Sequence, residues 1–420
     1  MQLKQTYFPT LRHIRQASEI IKDIALCTPL MQNHFFSNKY DANIFFKRED
    51  LQPVRSYKIR GAYNKIKSLS VNEKRGAVIC ASAGNHAQGV ALACASLNIK
   101  GFIYMPMPTP KQKVEQVRMF GGAHIEIILT GDTFDDAYAA AKIEATETDK
   151  IFIHPFDDEK IIEGQATVGL EIIEQSTTHI DYLFLPVGGG GLSAGVSSVF
   201  KVLSPQTKII GVEPKGAPAM KQSIEAGEIK VLGEISNFVD GAAVKCVGNL
   251  NFNICKQLLH QVVLVDEGAL CQTILDLYNK EAIVVEPAGA LAIAALDQFK
   301  DDIKHKNIVV IVSGSNNDFT RMAEIKERAL LYQKLKHYFI IRFPQRAGAL
   351  KEFVAEVLGP TDDIVHFEYT KKTSREAGPA VVGVEIENPN DLNPLIERMK
   401  SRHFFGEYLN DKPNLFEFLT

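Results

Sequence analysis

Short runs of apolar residues alternate with longer amphipathic segments along most of the chain. The runs are rich in valine and isoleucine and show little polar alternation, which is typical of strands buried on both faces of a sheet. The predicted strands are 76–81, 101–105, 124–129, 182–187, 209–212 and 308–312. Helical spacing predicts helices over 86–97, 111–120, 164–174 and 192–202. This order predicts an α/β fold in which helices cover both faces of largely parallel sheets.

The pattern changes after a charged run at 321–336, which predicts a solvated connecting helix. The elements predicted beyond it are strand 337–343, helix 349–358, strands 363–369 and 380–386, helix 391–399 and strand 405–409. This is the order of a ferredoxin-like α+β domain. We therefore predict a larger region over 1–330, with a smaller subdomain inserted near 50–155, and a C-terminal domain over 338–412.

Composition narrows the classes of partner. A formal charge of −3 gives no electrostatic reason to expect nucleic acid or an anionic membrane, so the substrate is expected to be small. The six cysteines form no C-x-x-C pair, which argues against a zinc site or a disulfide framework and suits a reducing cytosol. Neither a signal peptide nor an apolar run of about 20 residues is evident. We predict a cytoplasmic protein.

Four successive glycines lie in PVGGGGLSAG (186–195), between a predicted strand and a predicted helix. Residues without a Cβ expose their N–H groups at a helix N-terminus, which favours a phosphate. The pattern is neither G-x-G-x-x-G nor the Walker sequence, so a dinucleotide or ATP is not expected. A tight turn alone would need one or two glycines, and four favour an anion.

A second loop, CASAGNHAQG (80–89), also leaves a strand and enters a helix. Its small and polar residues, Ser82, Gly84, Asn85 and His86, would suit a carboxylate at that N-terminus. Taken alone, Asn85 would be an ordinary N-cap and His86 a surface residue.

Two further polar residues complete the set. VSGSNND (312–318) places Ser313 after the last strand of the larger region, and SYKIRGAY (56–63) places Lys58 near a helix start. Ligands of parallel sheets bind outside the carboxyl ends of the strands. A phosphate site, a carboxylate site and a lysine together suggest pyridoxal phosphate acting on an amino acid, with Lys58 holding the cofactor as a Schiff base.

The chain resembles the biosynthetic threonine dehydratases (threonine ammonia-lyases), which are tryptophan-synthase-β-like, fold-type II pyridoxal phosphate enzymes. It is similar to the short form with one C-terminal ACT-like regulatory domain. The matching stretches are CTPL (27–30), KREDLQ (47–52), SYKIRGAY (56–63), ASAGNHAQG (81–89), EGQAT (163–167), PVGGGGL (186–192), GVEP (211–214), VDGAAV (239–244), EPAGA (286–290) and SGSNND (313–318). The tail beginning HYFIIRFPQRAGAL resembles the ACT-like domain.

The resemblance implies a role for each matching position. Lys58 matches the Schiff-base lysine, and Tyr57 the aromatic residue beside the cofactor ring. Asn85 matches the donor to the pyridoxal 3′-oxygen, and Ser313 the partner of the pyridine nitrogen. The residues matching the phosphate loop are Gly188, Gly189, Gly190, Gly191 and Leu192. The residues matching the substrate-carboxylate loop are Ser82, Ala83, Gly84 and His86. Those in segments that line the cofactor are Gly241 and Glu286.

The implied reaction is the deamination of L-threonine to 2-oxobutanoate and ammonia, and of L-serine to pyruvate, as the first step of isoleucine biosynthesis. A desolvated Lys58 amine would remove the α-proton, and the cofactor phosphate would supply the acid for loss of the hydroxyl. A neutral Ser313 gives a weaker electron sink than an aspartate would, which suits elimination rather than transamination.

Two departures separate the chain from serine racemases, which share these motifs. Their second active-site serine is Ala83 here, so the opposite face of the substrate lacks an acid/base group. Their divalent-metal carboxylate beyond GVEP is Ala219 here, and Glu213 alone is a poor divalent site. We predict no divalent metal site and leave a monovalent cation open.

Alternatives from other classes remain open. The chain could be a serine racemase, threonine synthase or cysteine synthase, or an inactive amino-acid sensor, although the intact set of Lys58, Asn85 and Ser313 opposes the last. The C-terminal domain shows no catalytic cluster. It would be a stabilising or dimer-forming module or, as the resemblance implies, an effector domain for isoleucine or valine. The family suggests a homotetramer or dimer.

Overall fold

The computed structural model describes residues 7–370, 377–412 and 415–416. Residue contacts divide the chain into two units, Met1–Arg321 and Met322–Thr420. The strands of the first unit are β1 (Leu30–Gln32), β2 (Asn43–Arg48), β3 (Val78–Ala81), β4 (Gly101–Met105), β5 (Ile125–Leu129), β6 (Ile151–Phe152), β7 (Tyr182–Pro186), β8 (Lys208–Pro214), β9 (Gln261–Val265) and β10 (Asn307–Val312).

The helices of the first unit surround these strands. They are α1 (Leu11–Ile21), α2 (His34–Tyr40), α3 (Lys58–Ser68), α4 (Val71–Arg75), α5 (Asn85–Leu97), α6 (Lys111–Gly121), α7 (Phe134–Glu147), α8 (Glu159–Gln175), α9 (Gly191–Leu203), α10 (Ala219–Ala226), α11 (Asn249–Leu258), α12 (Glu267–Glu281) and α13 (Pro287–Ala294). Among the described residues, no helix is both long enough and apolar enough to cross a bilayer.

The strands form two sheets. A six-stranded sheet has the order β1-β2-β10-β7-β8-β9, and every pairing in it is parallel except that of β1 with β2. A four-stranded sheet has the order β5-β4-β3-β6 and is parallel throughout. The predicted α/β class with largely parallel sheets is confirmed. The smaller sheet and its helices lie within the stretch near 50–155 that we assigned to an inserted subdomain.

The sequence analysis did not predict strand β2, because the strand ends in two charged residues, Lys47 and Arg48. Lys47 is nevertheless fully buried, and its Nζ donates to Glu171 Oε2 at 2.5 Å and to the Thr28 carbonyl at 2.6 Å. Arg60, on α3, donates from Nε to Glu49 at 2.7 Å and from Nη1 to Glu171 at 2.6 Å. These four residues form a buried charge cluster, defined as Lys47, Glu49, Arg60 and Glu171, that joins β2, α3 and α8.

The second unit begins with a helix and continues as an α+β domain. Its elements are α14 (Met322–Tyr332), β11 (Lys336–Pro344), α15 (Ala349–Glu356), β12 (Asp363–Tyr369), β13 (Ala377–Glu385), α16 (Leu392–Ser401) and β14 (Phe405–Tyr408). The strands form an antiparallel sheet of order β12-β13-β11-β14. This confirms the ferredoxin-like order. The boundary near residue 330 stays a prediction.

Candidate active site

A cavity of about 930 Å³ lies in the first unit. It is bounded by the loops that follow β3, β7 and β10 and by the start of α3. The predicted site residues that line it are Tyr57, Lys58, Ser82, Ala83, Gly84, Asn85, His86, Gly188, Gly189, Gly190, Gly191, Leu192, Gly241, Glu286 and Ser313. The fold therefore brings all the predicted site residues to one cavity.

Lys58 is the first residue of α3, and its Nζ donates to the carbonyl of Pro155 at 2.8 Å. Burial lowers the pKa of Lys58 to about 8, and the opposing charge of Glu286 offsets only part of that effect. The Tyr57 ring centroid lies 5.4 Å from Nζ. A lowered pKa makes the neutral amine, which is the nucleophilic and basic form, accessible near physiological pH.

The glycine loop runs from the end of β7 into α9, with Gly190 as the N-cap at φ 92°. Its backbone is too closely packed for side chains, because a Cβ at Gly189 would lie 2.3 Å from the Phe156 ring and one at Gly188 would lie 3.0 Å from Ala242. Asn251 Nδ2 donates to the carbonyls of Phe156 and Gly189, at 3.0 and 2.9 Å. Main-chain N–H groups at a helix N-terminus fit a phosphate. Phe156 and Asn251 carried no motif signal.

Replacing Gly189 by alanine is expected to lower the affinity for the phosphate-bearing cofactor by about tenfold or more, because the new methyl group must displace the Phe156 ring. Gly233→Ala is the matched control, since a Cβ at Gly233, which also lines the cavity, meets nothing within 4 Å. Cofactor titration of the two apoproteins measures the difference. Equal affinities would contradict the packing explanation.

In the loop after β3, Asn85 is not an N-cap and His86 is not a surface residue, as each would be if taken alone. Gly84 is the N-cap of α5, and the Asn85 side chain instead donates from Nδ2 to Glu286 Oε1 at 2.6 Å. His86 is buried, with Nε2 2.9 Å from the carbonyl of Ile153. Burial lowers the pKa of His86 to about 3, so the ring is neutral and Nε2 is the protonated nitrogen that donates to this carbonyl.

The far side of the cavity carries Ser313 and Glu286. Ser313 is buried, and its hydroxyl donates to the carbonyl of Ala288 at 3.1 Å. Burial, followed by the negative charge of Asp240, raises the pKa of Glu286 to about 8. A Cβ at Gly241 would lie 2.8 Å from the Ala288 Cβ and 3.7 Å from Glu286 Oε1, so a glycine is required here for close packing.

Two ion pairs connect helices α6 and α7 to the segment 227–248, which contributes residues from Gly233 to Gly248 to the cavity wall. Lys113 Nζ lies 2.5 Å from Asp240 Oδ2, and Lys245 Nζ lies 2.7 Å from Asp135 Oδ2. All four residues line the cavity. Isolated charges in a sequence give no pairing information, so the sequence analysis did not identify them.

Glu213 has a structural role in this structure. It is fully buried, and its two carboxylate oxygens accept the backbone N–H groups of Met220 and Lys221 at 2.7 and 2.9 Å, at the start of α10. Burial raises the pKa of Glu213 to about 7. Within the described ranges, no cluster of three or more histidine, cysteine, aspartate or glutamate side chains is arranged to hold a metal ion.

Comparison with known proteins adds the family. Residues 21–314 match the model of the family described as pyridoxal-phosphate dependent enzyme, and residues 327–419 match the C-terminal regulatory domain of threonine dehydratase. The chain is 53% identical over 403 residues to the biosynthetic L-threonine dehydratase IlvA of Halalkalibacterium halodurans, covering 96% of this chain and 97% of that protein. It is 51% identical over 417 residues to the Bacillus subtilis protein of the same name, covering 99% of both chains.

A solved structure gives the same result for the catalytic fold. The processed form of threonine deaminase isoform 2 from Solanum lycopersicum is 41% identical, with a TM-score of 0.72, and the match covers 77% of this chain and 96% of that one. The glycine loop, the partly buried Lys58 and the uncharged Ser313 are therefore found in a chain that is similar over nearly its full length to named dehydratases. This chain belongs to the biosynthetic L-threonine dehydratases, within the pyridoxal-phosphate dependent enzyme family.

Proposed function

We propose that this chain deaminates L-threonine to 2-oxobutanoate and ammonia, and L-serine to pyruvate, as the first step of isoleucine biosynthesis. The observation that carries the proposal is the partly buried Lys58 amine, whose pKa is lowered to about 8, in one cavity with the glycine loop and Ser313. An inactive amino-acid sensor would have no use for a reactive amine in this position, whereas a pyridoxal phosphate enzyme requires one.

The residues present fit pyridoxal phosphate. Backbone amides of the loop from Gly188 to Leu192 would hold the phosphate, Lys58 would hold the aldehyde carbon covalently, and Asn85 and Ser313 would contact the ring. When bound, the cofactor supplies a carbon electrophile and a ring that withdraws electrons from the substrate Cα.

The side chains of this protein supply the positioning and the proton transfer. The neutral Lys58 Nζ takes the proton from the substrate Cα. Backbone N–H groups at the start of α5, with the Ser82 hydroxyl beside them, hold the substrate carboxylate. Ser82 Oγ already accepts the N–H of Gly84 at 3.2 Å, which orders the loop.

The test is incubation of the purified protein, loaded with pyridoxal phosphate, with L-threonine and detection of 2-oxobutanoate. With L-serine, we expect pyruvate without D-serine, because Ala83 offers no acid or base to the second face of the substrate. Formation of D-serine would support the racemase alternative. A folded protein that shows neither cofactor absorbance nor turnover would be the inactive sensor.

We further propose that the C-terminal unit binds an aliphatic amino acid, isoleucine or valine, and that this regulates turnover. A cavity of about 420 Å³ lies between the β11–α15 loop and strand β12. Phe343, Phe367 and Tyr369 give it apolar walls, which suit an aliphatic side chain. Gln345 also lines it, and its Nε2 is buried without a hydrogen-bond partner among the described residues. Such an atom favours a polar ligand group.

Replacing Gln345 by alanine is expected to raise the isoleucine concentration that half-inhibits turnover by about tenfold, while kcat without isoleucine is unchanged. The expected loss follows from the removal of one buried donor. Asn390→Ala, at an exposed position of the same unit, is the control. Inhibition curves at fixed L-threonine measure the shift. An equal response of both variants would remove this cavity as the effector site.

We also propose a homo-oligomer, tetramer or dimer, located in the cytoplasm. The supporting observation for the compartment is that all six cysteines are free thiols, as a reducing environment favours. Sedimentation of the holoenzyme tests the subunit number.

A further inference from the structure

Asn85 is held at both ends of its amide group. Its Nδ2 donates to Glu286 Oε1 at 2.6 Å, and its Oδ1 accepts from Asn316 Nδ2 at 2.6 Å. The backbone N–H of Asn316 in turn donates to the Glu286 carboxyl group. The three residues form a closed hydrogen-bonded ring, which we call the Asn85 ring, and all three line the large cavity.

The orientation of the Asn316 amide is set from outside the ring. Its Nδ2 lies 2.8 Å from the backbone carbonyl of Val54 and 2.8 Å from Gln88 Oε1. A backbone carbonyl can only accept, so the nitrogen of Asn316 must face Val54. This nitrogen has two hydrogens for three acceptors within reach, on Val54, Asn85 and Gln88, but it cannot itself accept, so the Asn85 atom 2.6 Å away must be the oxygen. The Asn85 nitrogen, with two hydrogens, is thereby left on the side of Glu286.

The loop that carries Asn316 is itself fixed against Glu286. The backbone N–H of Glu286 donates to the carbonyl of Gly314 at 3.2 Å. A Cβ at Gly314 would lie only 2.4 Å from Glu286 Oε1, so the loop approaches the carboxyl group as closely as a glycine allows. Asn316 Oδ1 is buried without a hydrogen-bond partner among the described residues. The side chain thus acts here as a donor alone.

We propose that Asn316 is a positioning residue that keeps the donor end of the Asn85 amide turned toward the cavity. The inference rests on the proposed function, in which Asn85 donates to the ring oxygen of the cofactor. One Asn85 hydrogen serves Glu286, and the other is free for that oxygen. Without Asn316, the Asn85 amide can turn over and present its carbonyl instead, and the cofactor oxygen then loses its donor.

Asn316→Asp is the sharpest test because it preserves shape and removes the donor. The new carboxylate would repel the Val54 carbonyl and accept from Asn85, which turns the Asn85 amide over. Asn316→Ala removes the constraint without adding a charge. The charged and titratable groups acting on the Asn85 ring, Asp240, Lys113, Tyr57 and Lys58, are unchanged in both variants.

The readout is the absorbance of the bound cofactor, recorded on each holoenzyme across a pH titration. If Asn85 no longer donates to the ionised ring oxygen of the cofactor, that anion becomes less stable. The pH at the midpoint of the absorbance change is therefore expected to rise by about one unit. Turnover of L-threonine is expected to fall about 10- to 100-fold in kcat, with a smaller change in KM.

Asn64→Ala is the matched control. Asn64 is also buried, donates from Nδ2 to a single backbone carbonyl, that of Lys160 at 2.7 Å, and leaves Oδ1 without a partner among the described residues. It does not line the cavity. Its replacement is expected to lower thermal stability without moving the absorbance midpoint.

The outcomes separate the inference from the proposed function. If the wild-type protein forms no cofactor band and converts no L-threonine, the proposed function is wrong and this inference is overturned with it. If the wild type does both and Asn316→Ala keeps its absorbance midpoint, the role of Asn316 alone is overturned, even where the added negative charge of Asn316→Asp moves that midpoint. A shift in folded Asn316→Ala, absent from Asn64→Ala, supports it.

Discussion

Replacing Lys58 by alanine is expected to lower the turnover of L-threonine by about a thousandfold or more, because it removes both the amine that would hold the cofactor and the base that takes the α-proton. Lys58 is partly buried, its Nζ donates to the Pro155 carbonyl, and it forms no ion pair with the described residues, so its loss breaks none. The fold should therefore persist. Release of 2-oxobutanoate measures the effect.

Lys67→Ala on the same helix is the matched control, since Lys67 is exposed to solvent. It is expected to retain the wild-type kcat. The cofactor absorbance of Lys58→Ala provides a second measurement, because the covalent form should be missing while the glycine loop still binds the phosphate. Near-normal turnover by Lys58→Ala would exclude the mechanism.

Replacing Arg60 by alanine is expected to destabilise the protein by about 3–5 kcal/mol, because it leaves the buried carboxylates of Glu49 and Glu171 with Lys47 as the one remaining cation of the cluster. Arg60 and Glu49 are both fully buried, so water cannot replace the lost charge. Arg60→Lys keeps the charge but not the geometry that lets the guanidinium contact both carboxylates. Its free energy of unfolding should therefore lie between those of Arg60→Ala and the wild type.

The comparison for Arg60 is Lys100→Ala, which breaks the exposed Lys100–Glu126 pair and should cost about 1 kcal/mol or less. Thermal or urea unfolding of the three variants and the wild type gives the ranking. Equal losses for Arg60→Ala and Lys100→Ala would show that the buried charge cluster contributes little.

Periodicity predicted several strands whose residues are apolar on both faces, such as β4 and β7, because nothing in them competes with burial, although it missed the apolar strand β9. It missed β2, whose lysine and arginine suggest a surface. Lys47 can be buried there only because Glu171, distant in sequence, supplies the opposite charge. A partner brought by tertiary folding cannot be read from the local pattern.

The candidate site shows the same division. Motifs predicted the residues that line the cavity, since glycine runs and a lysine at a helix start have chemistry that their neighbours in sequence reveal. The residues that orient them were missed. Asn316 lies in a motif we identified, but its use depends on Val54 and Asn85, which the fold brings to it from other segments.

The two ion pairs at the segment 227–248 affect how easily a small molecule can enter the cavity of the first unit. Their side chains are 24–59% exposed, so each pair contributes about 0–1 kcal/mol and is weakened by salt. Together they restrain the segment 227–248 against α6 and α7 by no more than about 2 kcal/mol, a preference of about thirtyfold. The two pairs by themselves are therefore too weak to close the cavity to a small zwitterion, and added salt weakens them further.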